Sequence, residues 1–168
     1  MRLSSFKKIL SLVALSAVLL SFSSKNYKSN FSGAWKLNES KSDLGQFSQF
    51  AVRTIKADQK DQAITVTRTA PSFNGDDMTT SETLSYDGKE TETTIFENSK
   101  RKSSAKWSDD GQTLNINYIL LLDFNGQSME IKGTEAWTLS PDGKNLTVQI
   151  NSSSPQGDIS SKAVYDKQ

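Results

Sequence analysis

Beyond residue 24, apolar and polar residues alternate with a period of two along most of the chain. No stretch there keeps a helical apolar period for three turns. Successive side chains of a strand point to opposite faces, so the alternation predicts half-buried strands. Thr, Val, Ile and aromatic residues, which pack well on a pleated surface, concentrate in these runs. Ten strands are expected, over 33–38, 50–57, 62–69, 79–86, 89–96, 101–108, 112–122, 128–139, 144–152 and 159–166. Between them stand Asn74-Gly75, Asp87-Gly88, Asp110-Gly111, Asn125-Gly126, Asp142-Gly143 and Gln156-Gly157. Asx-Gly pairs supply the positive φ angles of tight hairpins, so the strands should run up and down, antiparallel. The linker 39–49 is the longest and should carry a short helical turn or act as a lid. The segments from Trp107 and Trp137 share one recipe: a strand tryptophan, an Asp-Gly turn, then a returning apolar strand.

Ten meandering strands leave two open edges unless they close on themselves. An up-and-down antiparallel barrel is therefore expected. A two-sheet sandwich is the competing architecture, but it favours Greek-key crossovers with longer loops, which are scarce here. A closed barrel of this size has room for one small ligand, and the apolar hollow is expected near Trp35.

Residues 1–23 read as a signal peptide. Arg2, Lys7 and Lys8 precede the apolar stretch Ile9 to Leu20, and Ser21 and Ser23 occupy the positions read at cleavage. The stretch falls short of the roughly 20 residues a spanning helix needs, so no stable membrane span is expected once it is removed. Residues 24–30 then form a flexible lead-in, and 31–168 form one domain. The expected location is outside the cytoplasm, periplasmic or secreted.

Charge narrows the chemistry. The chain has 20 basic and 19 acidic residues, a net charge of +1. Losing Arg2, Lys7 and Lys8 leaves 17 basic against 19 acidic. This balance offers no basic stripe for nucleic acid. There is no histidine and no cysteine, which excludes Ser-His-Asp and Cys-His catalysis, disulfides, Fe–S clusters and thiolate or imidazole metal sites. A cysteine-free exported domain suits a bacterial envelope better than a small secreted animal module, which disulfides would usually staple.

The opening Phe31-Ser32-Gly33-Ala34-Trp35-Lys36-Leu37-Asn38 resembles the Gly-x-Trp first strand of lipocalins and other calycins. With Lys41-Ser42, Lys106-Trp107, Leu139-Ser140-Pro141-Asp142-Gly143-Lys144-Asn145-Leu146-Thr147-Val148 and the closing Val164-Tyr165-Asp166-Lys167, the run resembles bacterial lipocalin-like small exported proteins over residues 31–167. The resemblance implies an all-β lipocalin-like (calycin) barrel of about eight to ten strands that binds a small hydrophobic or amphiphilic molecule. It also implies a structural role for Gly33 and Trp35, the indole plugging the closed end beneath a stacked Arg or Lys.

Strand parity sorts the candidate ligand contacts. Arg53 shares a face with Ile55, Arg68 with Ile64 and Val66, Arg101 with Ala105 and Trp107, and Glu135 with Ile131 and Trp137; Tyr118 lines up with Ile116 and Leu120. Arg53, Arg68, Arg101, Trp107, Tyr118, Glu135 and Trp137 are the expected ligand-binding set. Three guanidiniums against one carboxylate would leave a positive field suited to an anionic head group held by paired hydrogen bonds. The competing reading leaves these arginines in solvent at strand ends, or pairs Glu135 structurally with one of them. Asp76-Asp77 and Asp109-Asp110 lack the spacing of a calcium loop and read as solvated turns. No catalytic residue, metal or cofactor is expected. The protein should be a monomeric small-molecule binder; the rival role is an envelope interaction module whose barrel is filled by its own side chains. An enzyme built on Glu135 and a second carboxylate ranks third.

Overall fold

The computed structural model describes residues 27–72, 75–124, 126–155 and 157–168. The expected signal peptide lies outside these residues, as do Asn74, Asn125 and Gln156 of the expected turns.

Ten strands form: β1 Gly33–Leu37, β2 Thr54–Gln59, β3 Ala63–Pro71, β4 Asp77–Ser85, β5 Thr91–Phe96, β6 Ser99–Trp107, β7 Leu114–Phe124, β8 Gln127–Leu139, β9 Asn145–Ser154 and β10 Gly157–Lys167. They make one antiparallel sheet in the order β4-β3-β2-β1-β10-β9-β8-β7-β6-β5. Chain neighbours are therefore sheet neighbours except β4 and β5. The first and last strands pair, with Trp35 opposite Lys167 and Leu37 opposite Tyr165. The sheet's two ends, β4 and β5, meet without a ladder; Thr91 Oγ1 donates across to the Thr83 carbonyl (3.2 Å). The result is a nearly closed up-and-down barrel.

The largest departure from the expected strands is at β2, which begins at Thr54 and not at residue 50. The preceding residues belong to the linker, where two short 3-10 turns form, Glu39–Lys41 and Gly45–Phe50. Asn38 caps the first, its side chain accepting from the Lys41 N–H. Asp43 then exchanges two backbone hydrogen bonds with Lys162 of β10 (2.8 and 2.7 Å). That seats the second turn across the barrel mouth between β10 and β3. Leu44 and Val52 flank it, half-buried against the core, and Tyr165 Oη donates to the Val52 carbonyl (3.1 Å).

At the other end three turns share one construction. Asp110 Oδ1 accepts from Ser108 Oγ (2.6 Å) and the Gln112 N–H (2.9 Å), and Asp142 Oδ1 accepts from Ser140 Oγ (2.6 Å) and the Lys144 N–H (3.1 Å). Asp87 accepts likewise from Ser85 and Lys89. The glycine after each aspartate takes positive φ, 70° at Gly111 and 68° at Gly143, where a β-carbon would be strained. This is the physical content of the Asp-Gly hairpin recipe read from sequence.

The inward face changes character along the barrel. At the end carrying these turns it is solid: Trp35, Ile64, Val66, Leu84, Leu114, Ile116, Trp137 and Leu146 are at most 1% exposed. Phe31 fills the centre, stacked on Trp107 (5.6 Å between centroids, 14°) and edge-on to Trp137 (5.8 Å, 88°). Trp35 Nε1 donates to the Phe31 carbonyl (2.9 Å), and Lys167 Nζ stands 5.3 Å from the Trp35 ring centroid. Trp35 thus plugs the closed end beneath a lysine. Where a hollow was expected near it, the described residues Phe31, Trp107 and Trp137 pack together instead. Residues 27–30, the described part of the expected flexible lead-in, cross this base. Ser29 N–H donates to the Gly111 carbonyl (2.9 Å), and Gln59 Nε2 to the Ser29 carbonyl (2.9 Å).

Candidate functional site

Above this apolar plug, the inward positions of four strands carry polar side chains: Arg68 on β3, Glu82 on β4, Arg101 and Ser103 on β6, and Glu135 on β8. Alternation places each of them inside. Val66 below Arg68, Leu84 below Glu82, Ala105 below Ser103 and Trp137 below Glu135 belong to the core. All five are 13% exposed or less.

The charged groups interlock. Arg68 donates through Nη1 to Glu82 Oε1 and through Nη2 to Glu135 Oε2 (3.2 Å). Arg101 donates through Nη2 to Glu135 Oε1 (2.7 Å) and through Nε to Ser103 Oγ (2.9 Å), with Glu82 Oε1 at 3.3 Å from the same nitrogen. Trp137 Nε1 donates to Glu135 Oε2 (2.8 Å). Arg101 sits over Tyr118, its guanidinium carbon 4.2 Å from the ring centroid, and Arg68 stands 5.6 Å from the Trp137 ring centroid. Stacking of this kind holds a planar cation in one orientation.

Electrostatics follow from the burial. Desolvation alone would raise the Glu135 pKa, but Arg68 and Arg101 outweigh it and hold the carboxyl at about 2. Burial alone would lower the Arg68 pKa; Glu135 and Glu82 outweigh it and raise it instead. Burial, then Glu135, push the Tyr118 phenol up. The quartet thus sets two guanidiniums against two carboxyl groups.

This corrects the expected charge balance. Arg53 does not join the site: at the open rim just before β2, it pairs with Asp77 at 2.9 Å with both side chains more than half exposed. Strand parity fails there because the strand has not begun. Glu82, missing from the sequence-derived set, supplies the second carboxylate; its signal was present in the shared parity of Glu82, Leu84 and Tyr86. Trp107 also lies apart, at the closed base against Phe31 and Tyr86 (5.5 Å). Arg68, Arg101, Tyr118 and Glu135 come together, with Trp137 directly beneath.

Beyond this layer the inward residues are half-exposed: Ala70, Met78, Thr80, Leu120, Leu122, Met129, Ile131, Ile159 and Ser161. The same faces are sealed lower down, so this half of the barrel is a cup open to water. Its floor is the charged quartet and its wall is mostly apolar. An open depression of about 770 Å³ is lined by β7–β10, both by inward Tyr118, Gly133, Ser152 and Ile159 and by outward Asn117, Lys132, Thr134 and Asn151. Among the described residues no group of three metal-ligating side chains occurs.

The fold has a known likeness. The structure is similar to zebrafish ileal bile acid-binding protein, crystallised with cholic acid, with a TM-score of 0.53 at 18% identity over 83% of this chain and 100% of that one. The likeness is one of fold: a nearly closed, antiparallel ten-stranded barrel. No protein-family model matches the chain, and no curated protein does.

Proposed function

We propose that the protein is an exported, bacterial lipocalin-like carrier that takes a small amphiphilic molecule into the open half of its barrel. The observation that carries this reading is the change along the inward face: a sealed apolar plug, a polar floor, then partly exposed Leu120, Leu122, Met129 and Ile131. Apolar side chains facing inward yet wetted gain by burial against a ligand, at about 25 cal/mol per Å² covered. A few polar groups at the floor orient the bound molecule. The likeness to a bile acid-binding barrel agrees with this reading at the level of fold.

The low Glu135 pKa weighs against the carboxylate-enzyme alternative, since a carboxylate locked between two arginines is a poor proton donor. Export rests on Arg2, Lys7 and Lys8 before the apolar stretch, and the bacterial envelope on the cysteine-free composition.

Native mass spectrometry of the purified protein, followed by solvent extraction, tests the carrier reading. Retained host lipid, or saturable uptake of the neutral fluorophore N-phenylnaphthylamine, is the expected result. Absence of both would favour the barrel as an interaction module. The intact mass of the exported protein should correspond to a chain beginning at Ser24.

A further inference from the structure

The polar floor is short of one hydrogen-bond donor. Glu135 is fully served: Oε1 accepts from Arg101, and Oε2 accepts from Arg68 and Trp137. Glu82 is served on one side only. Its Oε1 takes Arg68 and faces Arg101 Nε, while Oε2 is buried and has no hydrogen-bond partner among the described residues. A buried carboxylate oxygen without a donor is a costly arrangement that folding normally avoids. The position is also at the boundary of the cup. On the inward face of β4, Leu84 lies on the sealed side of Glu82 and half-exposed Thr80 on the open side.

The charge count fixes what can be accepted. Two guanidiniums are already matched by two carboxylates. A third carboxylate seated on the floor by a ligand would lose its water with no free cation to meet it, and an ammonium would lose its water with no free anion. A neutral group that donates one hydrogen bond disturbs neither balance.

We propose, resting on the carrier reading, that the occupant is a neutral amphiphile whose polar end is a hydroxyl donated to Glu82. The apolar remainder extends along Leu120, Ile131 and Met78 toward the mouth. The floor's arginines act here as positioning residues that hold both carboxylates; they are not the anchor for an anionic head group.

A matched ten-carbon series, decanol, decylamine and decanoate, titrated calorimetrically at pH 7 into the full chain, tests this. Decanol should bind tightest, by about tenfold or more over decanoate, the worth of one hydrogen bond to a charged acceptor. In Glu82→Gln the floor carries one net positive charge, so the order should reverse, decanoate overtaking decanol. The wild-type ranking stands as a test whether or not that variant folds. Decanoate or decylamine ahead of decanol in the wild type, or an unchanged order in folded Glu82→Gln, overturns the hydroxyl assignment while leaving the carrier reading intact. Failure of all three to bind overturns the carrier reading, and the assignment with it.

Discussion

The Tyr118 ring lies directly against the backbone of Gly133, its cross-strand partner on β8. A β-carbon at residue 133 would fall inside contact distance of the ring Cζ and Oη, and would stand 2.9 Å from the Asn151 carbonyl. Glycine here makes room for the tyrosine on which Arg101 stacks, and so helps place the floor of the cup. Gly133→Ala should cost about 1–3 kcal/mol of stability by overpacking. Urea denaturation of Gly133→Ala, Tyr118→Ala and the double variant measures it. The double variant should be less destabilised than the sum of the singles, since removing the ring removes the clash.

Arg68 is the hinge of the charged layer, bridging Glu82 and Glu135. Arg68→Ala leaves two buried carboxylates sharing Arg101 alone, and should cost about 3–5 kcal/mol. Replacing Arg68 and Glu82 together by Met and Leu removes one charge of each sign, and should cost clearly less than Arg68→Ala. Chemical denaturation compares the two, and equal losses would contradict the layer's description as a coupled, self-neutral unit.

Acid should destabilise the barrel through Glu135. Its carboxyl titrates at about 2 in the folded protein against an ordinary value of 4.5. A lowered folded pKa means the stabilisation is fully present above about 4.5 and is lost as pH falls toward 2. The amount involved is about 3 kcal/mol at neutral pH. Thermal melting between pH 7 and pH 2 should show this loss. Glu135→Gln, though less stable at neutral pH, should show a shallower slope over that window.

The two halves of the barrel should respond oppositely to changes in size. Leu114 is fully buried in the plug, and Leu114→Ala should cost about 2–5 kcal/mol with little effect on the affinity of a bound fluorophore. Leu120 lines the cup half-exposed, and Leu120→Trp should leave stability within about 1 kcal/mol while weakening uptake of N-phenylnaphthylamine about tenfold or more. Fluorescence titration and denaturation on the same samples give both numbers. An unaffected affinity in Leu120→Trp would place the ligand elsewhere.

Much of this was legible along the chain, because strand alternation and turn chemistry are local. Period-two patterning marked ten strands within a few residues of their true bounds, and the Asp-Gly pairs marked hairpins whose glycines take the expected positive φ. Parity alone put Arg68, Arg101, Tyr118 and Glu135 on inward faces. It failed for Arg53, where residues 45–50 wind into a 3-10 turn and the strand starts late, so alternation had no pleat to act on.

Tertiary structure decided how far up the barrel each inward residue sits, and which others it meets. Parity says inside or outside; strand register says how deep, and register comes from long-range pairing such as Trp35 with Lys167 or Tyr118 with Gly133. That is why Trp107 fell to the sealed base while Arg101, six residues earlier on the same strand, reached the floor of the cup. It is also why Glu82, unremarkable in its own strand, proved to be the second anion that balances two arginines drawn from β3 and β6.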